Sequence, residues 1–154
     1  MAKFKVFVPY NFTSNDEKAI DFVIDRFGKE KDAEITLFHA YIPMPDIELN
    51  DKTVMSRLAG NMAYLRQKIY DLEEAMAAAA QRLISAGFTP DNVKSIFVPR
   101  KKDTAQDIIK QVVDGEFSAI VLNHHPSKMR KYFTASISKK VAKELADREL
   151  YIVG

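Results

Sequence analysis

Short runs of Val, Ile, Phe and Leu alternate with segments whose apolar residues recur every three or four positions, from one end of the 154 residues to the other. A period of two marks a strand and a period near 3.6 a helix, so the alternation reads βαβαβαβαβ. The spacing predicts strands over Lys3–Pro9, Ala33–Tyr41, Val93–Pro99, Ser118–Leu122 and Leu150–Val153. Helices are expected after Ser14, from Val54 to Ala86, from Asp103 to Gly115, and from Ser136 to Ala146. Strands that alternate with helices through one domain predict an α/β fold. Its sheet is parallel and doubly wound, with right-handed crossovers and helices on both faces. At this length the expectation is a single domain over residues 1–154.

Local signals support the boundaries. Ser14 and Glu17 have capping-box spacing, and Ala19, Ile20, Val23, Ile24 and Phe27 form the apolar stripe that follows. Gly28, Gly87 and Gly115 stand where the first three helices end. Pro43 and Pro45 hold residues 42–52 out of regular structure. In the long second helix, Leu58, Met62, Leu65, Ile69, Leu72 and Met76 recur at steps of four and three. That repeat can be a coiled-coil seam. It can also be a helix lying on a sheet, which the alanines at 75 and 77–80 favour because they widen the apolar face.

Composition narrows the chemistry. With no cysteine there can be no disulfide, thiolate nucleophile or iron–sulfur cluster. A net charge of +2 is small for a nucleic-acid binder, and no apolar run reaches the roughly 20 residues a membrane span needs. The first eight residues lack a secretory signal, so a cytoplasmic location is expected, with neither nucleic acid nor membrane as partner. The basic excess sits near the end: residues 100–154 hold 11 of the 23 Lys and Arg but only 7 of the 21 acids. It concentrates in Arg100-Lys101-Lys102 and Lys128-Met129-Arg130-Lys131.

Ligands of open parallel sheets bind beyond the carboxyl ends of the strands, where the strand order reverses. That rule selects residues 9–13, 40–45, 99–103 and 123–136, and both basic segments fall within it. Arg100, Lys101, Lys102, Lys128, Arg130 and Lys131 are therefore either an anion site or ordinary solvated loops. Tyr132-Phe133 reads as an anchor for its loop, or as a platform for a base. His124-His125 lacks a third ligand at a convincing spacing, and His39 reads as a core histidine with its hydrogen bonds satisfied. Ser136 and Ser138 read as helix caps, since no positioned base or oxyanion hole accompanies them. No catalytic acid–base pair can be named, so the expectation is a protein that is not an enzyme and holds no metal.

The element order and the strand ends together resemble the universal stress protein family over nearly the whole chain. The similar segments are Val6–Thr13, Glu34–Ala40, Asp103–Ile109 and Ala135–Val141. The resemblance implies strand order 3-2-1-4-5 and a homodimer formed through Leu150–Val153. Members that bind ATP carry Gly, two residues, Gly, nine residues, then Gly and Ser or Thr, after the fourth strand. Glycines there let the backbone approach phosphates, and amides at the helix start meet the charge. In this chain Asn123, Pro126 and Ala135 stand at the three glycines, with eight residues between the last two, and Ser136 is kept. Asn11 replaces the family's Asp after the first strand, and Ala40 holds the position that packs on adenine. Pro126 has no amide to give and fixes φ near −65°.

The nucleotide positions implied are Pro9, Asn11, Ala40, Leu122, Asn123, Pro126, Ala135, Ser136 and Ile137. The function implied is a non-enzymatic stress-response module with weak or absent binding of ATP or AMP. A binder of another phosphate ligand through residues 123–136 is the alternative, and a small phosphate-ester hydrolase a second one.

Overall fold

The computed structural model describes residues 4–10, 12, 16–30, 32–42, 52–123 and 139–153, with the backbone alone for 52–60 and 123. Nine elements run β1 (Phe4–Pro9), α1 (Asp16–Phe27), β2 (Ala33–Tyr41), α2 (Lys52–Ser85), β3 (Val93–Pro99), α3 (Thr104–Asp114), β4 (Ala119–Asn123), α4 (residues 139–144) and β5 (Glu149–Val153). A 3-10 turn at Pro90–Asn92, not foreseen from the sequence, leads into β3. The strands form one sheet in the order β3-β2-β1-β4-β5, and every pairing is parallel. The expected order 3-2-1-4-5 is the observed one.

Alternate residues of each strand point to opposite faces, and two separate cores result. Val6 and Val8 of β1, Ile35 and Leu37 of β2, and Ala119 and Val121 of β4 pack with α1 and α2. Phe7, Phe38, Ile120 and Leu122 point the other way, to Ala105, Ile108 and Val112 of α3 and Val141 of α4. Phe7 anchors this second core, with its ring 5.2 Å from that of Phe38 and 4.9 Å from that of Phe117. Both faces of the middle strands are covered, so β2 is buried continuously from Ala33 to Phe38, including the polar Glu34 and Thr36 on the Phe38 face.

Two glycines end helices for different reasons. A Cβ on Gly28 would collide with the Ile24 carbonyl oxygen, which leaves no room for a side chain. Gly87 has open space around it but sits at φ +124°, a conformation L-residues rarely adopt.

α2 differs from its neighbours. Its 34 residues span about 51 Å at 1.5 Å per residue. β2, the longest strand, has nine residues and spans about 30 Å. Met76, Ala79 and Leu83 are buried on the sheet, whereas Met62, Leu65, Ile69 and Leu72 are only half-buried and belong to neither core. The helix therefore lies on the sheet through its second half. The alanines widen its contact less than the sequence implied: Ala79 is buried and Ala80 half-buried, but Ala75, Ala77 and Ala78 are exposed. The Ser14 cap, and residues 136–138 expected to open α4, lie outside the described residues.

Candidate functional site

In a parallel sheet every strand delivers its carboxyl end to the same edge. Here that edge gathers Pro9 and Tyr10 after β1, Ala40 and Tyr41 at the end of β2, Pro99 and Arg100 after β3, and Leu122 and Asn123 of β4. The pairings keep the ends level: Pro9 lies beside Phe38, and Tyr41 beside Pro99. The Arg100 amide donates to the Tyr41 carbonyl at 2.7 Å, which extends the ladder one residue past β3. Strand order reverses between β1 and β4, which places the crevice beside Pro9 and Leu122.

Of the residues singled out from sequence, Pro9 and Leu122 are buried and Ala40 is half-buried against the α3 face. Asn123 is the last residue of β4, where the sequence reading began a loop. Arg100, Lys101 and Lys102 are exposed at the edge. Their surroundings are not purely basic. The Lys101 and Lys102 amides donate to the Asp107 carboxylate at 3.1 and 3.3 Å. Asp103 caps α3 by accepting from the Gln106 amide at 2.8 Å and lies 3.7 Å from the Lys140 ammonium. Two carboxylates thus already occupy the start of α3, where an anion would otherwise sit. Asn11, Pro126, Lys128, Arg130, Lys131, Ala135, Ser136 and Ile137 lie outside the described residues, as do His124 and His125.

The structure also assembles a group that the sequence reading did not. Tyr10, Phe12, His39, Tyr41 and Phe97 form a continuous aromatic cluster on the α1/α2 side of this edge. The Phe12 ring stands edge-on to Tyr10 at 4.8 Å and to His39 at 4.6 Å. Phe97 stacks on His39 at 5.9 Å and on Tyr41 at 4.7 Å. Phe12 adopts φ +61°, uncommon for a bulky residue and a mark of a constrained turn. The signal was present in the parity of β2: Ile35, Leu37, His39 and Tyr41 share one face. The contribution of Phe12 depends on its turn and could not be read from a period.

His39 is held by a 2.8 Å hydrogen bond between its Nδ1 and the Tyr10 carbonyl. A carbonyl can only accept, so Nδ1 carries the proton and Nε2 is left as the acceptor in the neutral ring. Burial lowers the His39 pKa below its ordinary 6.5, opposed by the Tyr10 carbonyl and the charge of Asp16. Burial raises the pKa of the Tyr10 phenol, helped by Asp16 and Glu17 and opposed by Arg82. Arg82 is itself paired with Asp21, tying α2 to α1. The edge thus offers a cluster of aromatic rings, a neutral imidazole, and exposed cations interleaved with Asp103 and Asp107. Such a surface can stack a planar ring and attract an anionic group.

No family model matches this sequence, and no curated protein matches it. Solved structures do. A universal stress protein from Archaeoglobus fulgidus in complex with dAMP matches with TM-score 0.68 at 12% identity, covering 100% of both chains. The universal stress protein UspA from Lactobacillus plantarum matches with TM-score 0.68 at 15% identity, again over 100% of both. A universal stress protein in complex with cAMP matches with TM-score 0.65 at 15% identity, covering 99% of this chain and 98% of the other. From its first strand to its last, this chain has the fold of the universal stress proteins.

Proposed function

We propose that this chain is a universal stress protein that works as a homodimeric binding module without catalytic turnover, and that its carboxyl edge takes an adenine nucleotide only weakly. The observation that carries the reading is the end-to-end match, over 100% of both chains, to a universal stress protein bound to dAMP. A second relative of the same fold holds cAMP. The half-buried Ala40, on the α3 face with Leu122, suits a purine, while the phosphate end is poorly equipped. Pro126 has no amide to donate, Asn123 and Ala135 replace glycines, and Asn11 lacks the charge of an aspartate.

Each unmade phosphate contact costs on the order of 1–3 kcal/mol. Two or three of them weaken binding at least about a hundredfold, because roughly 1.4 kcal/mol is a factor of ten. The expected dissociation constant for Mg-ATP is no tighter than roughly 100 μM. Calorimetry measures it directly, and native mass spectrometry of the purified protein should find no retained nucleotide. Submicromolar binding, or nucleotide carried through purification, would show that residues 123–136 hold phosphates well. In that case Arg130→Glu with Lys131→Glu should weaken binding of inorganic phosphate and reduce its salt dependence. Turnover of a phosphate-ester panel would overturn the non-enzymatic reading.

A further inference from the structure

After β1 the chain leaves the sheet through a turn whose backbone is strained. Phe12 adopts φ +61°, which a bulky L-residue keeps only where its surroundings compensate. A side chain of β2 supplies support from two directions. Tyr10 is tied to β2 twice: its amide donates to the Phe38 carbonyl at 2.7 Å, and its carbonyl accepts from His39 Nδ1 at 2.8 Å. The same His39 ring meets the Phe12 ring edge-on at 4.6 Å and is backed by Phe97 at 5.9 Å. His39 thus holds Tyr10 by its main chain and Phe12 by its ring.

These contacts lie behind the crevice rather than in it. Pro9 and Leu122 border the point where strand order reverses, and Ala40 packs with Leu122 on the α3 face. Tyr10, Phe12 and Phe97 pack on the opposite core, the side to which His39 turns. We infer that His39 is a positioning residue, which fixes Tyr10 and Phe12 from the α1/α2 side and with them the end of β1 that borders the crevice. A ligand then meets a strand end already in place, and less ordering is lost on binding. The ligand part of this inference rests on the nucleotide reading above; the hold on the turn does not. The role requires a donor at Nδ1. A phenylalanine ring fills the same cluster without one, whereas asparagine carries an amide donor at a similar reach from the backbone. His39→Phe and His39→Asn therefore separate the hydrogen bond from the packing.

Nitrogen NMR of the unmodified full chain reads the tautomer. A protonated Nδ1 with a bare Nε2 is expected at about pH 8, and a ring protonated only at Nε2 overturns the inference. Amide hydrogen exchange follows Tyr10, with Val8, deeper in the β1–β2 ladder, as the reference. His39→Phe should speed exchange at Tyr10 about tenfold relative to Val8, and His39→Asn should bring it back to within about threefold. Equal acceleration at both amides, or none at Tyr10, overturns the inference. Should His39→Phe fail to fold, His39→Asn against His39→Gln, which moves the donor outward, makes the same comparison. Titration with dAMP should give a dissociation constant at least about threefold higher in His39→Phe and restored in His39→Asn. An affinity unchanged in His39→Phe while Tyr10 exchange rises means that the turn does not serve the ligand, and overturns the inference. An unmodified chain that takes up no dAMP at millimolar concentration removes the nucleotide reading instead, and the tautomer and exchange results still decide the hold on the turn.

Discussion

His39 and Gly87 show how one residue can carry a conformational demand that its type alone does not announce. Burial of the His39 ring between Phe12 and Phe97 disfavours its protonation in the folded state, and outweighs the opposing Tyr10 carbonyl and Asp16 charge. The unfolded chain takes up that proton near the ordinary 6.5, the folded chain only at lower pH. Between the two the unfolded state binds more protons, so stability falls as pH drops below about 6.5 and is fully present above it. The urea midpoint, followed from about pH 8 to pH 5, should decline in that window, and His39→Gln should remove part of the decline. A slope identical in the variant would mean other groups carry it. At Gly87 the space for a methyl group is open, so only the backbone objects. Gly87→Ala should cost about 1–3 kcal/mol, measured by equilibrium unfolding, from the φ of +124° alone. His39 was legible from the sequence as a strand residue with its hydrogen bond met. Its place in an aromatic cluster was not, because Phe12 and Phe97 reach it from two other elements.

Among the elements, α2 was the most completely legible in sequence and the least determined by it. Its repeat at steps of four and three fits a helix seam and a helix on a sheet equally well, because both need one apolar stripe. The fold divides the stripe: Leu83 is wholly buried, whereas Leu65 and Ile69 are only half-buried, and Tyr70, off the stripe, is 57% exposed. Leu83→Ala should therefore cost about 2–5 kcal/mol, since it removes methyl groups from a filled core and leaves a cavity. Tyr70→Ala should stay within about 0.5 kcal/mol under the same denaturant titration. Equal losses at both positions would mean that the Tyr70 side of the helix is packed as well. α3 behaved as its sequence asked, with Asp103 at its cap and Ala105, Ile108 and Val112 turned to the core. Val113, the neighbour of the buried Val112, is 48% exposed, because the helix turns it past the edge of the contact.

For the whole molecule, the open question is assembly. β5 closes one side of the sheet, paired only to β4 among the described residues, and Ile152 is 53% exposed there. An apolar strand edge of this kind favours pairing with another chain. A dimer is expected by sedimentation at micromolar concentration, and Ile152→Asp should abolish it without shifting the unfolding midpoint at high dilution. A full-length chain that is already monomeric there would remove β5 from consideration. The sequence by itself determined the element order, the parallel sheet and the two-faced alternation of β1, β2 and β4. These depend on local periodicity and on burying every apolar stripe. It also determined that the phosphate end lacks glycines at positions 123, 126 and 135. Only the tertiary structure decided that Asp103 and Asp107 already sit among Arg100, Lys101 and Lys102, that an aromatic cluster lines the ends of β1 to β3, and that Met62, Leu65, Ile69 and Leu72 of α2 lie outside both cores. The physical reason is that each depends on the relative placement of residues from separate elements, which is set by packing and register and leaves no period in the chain.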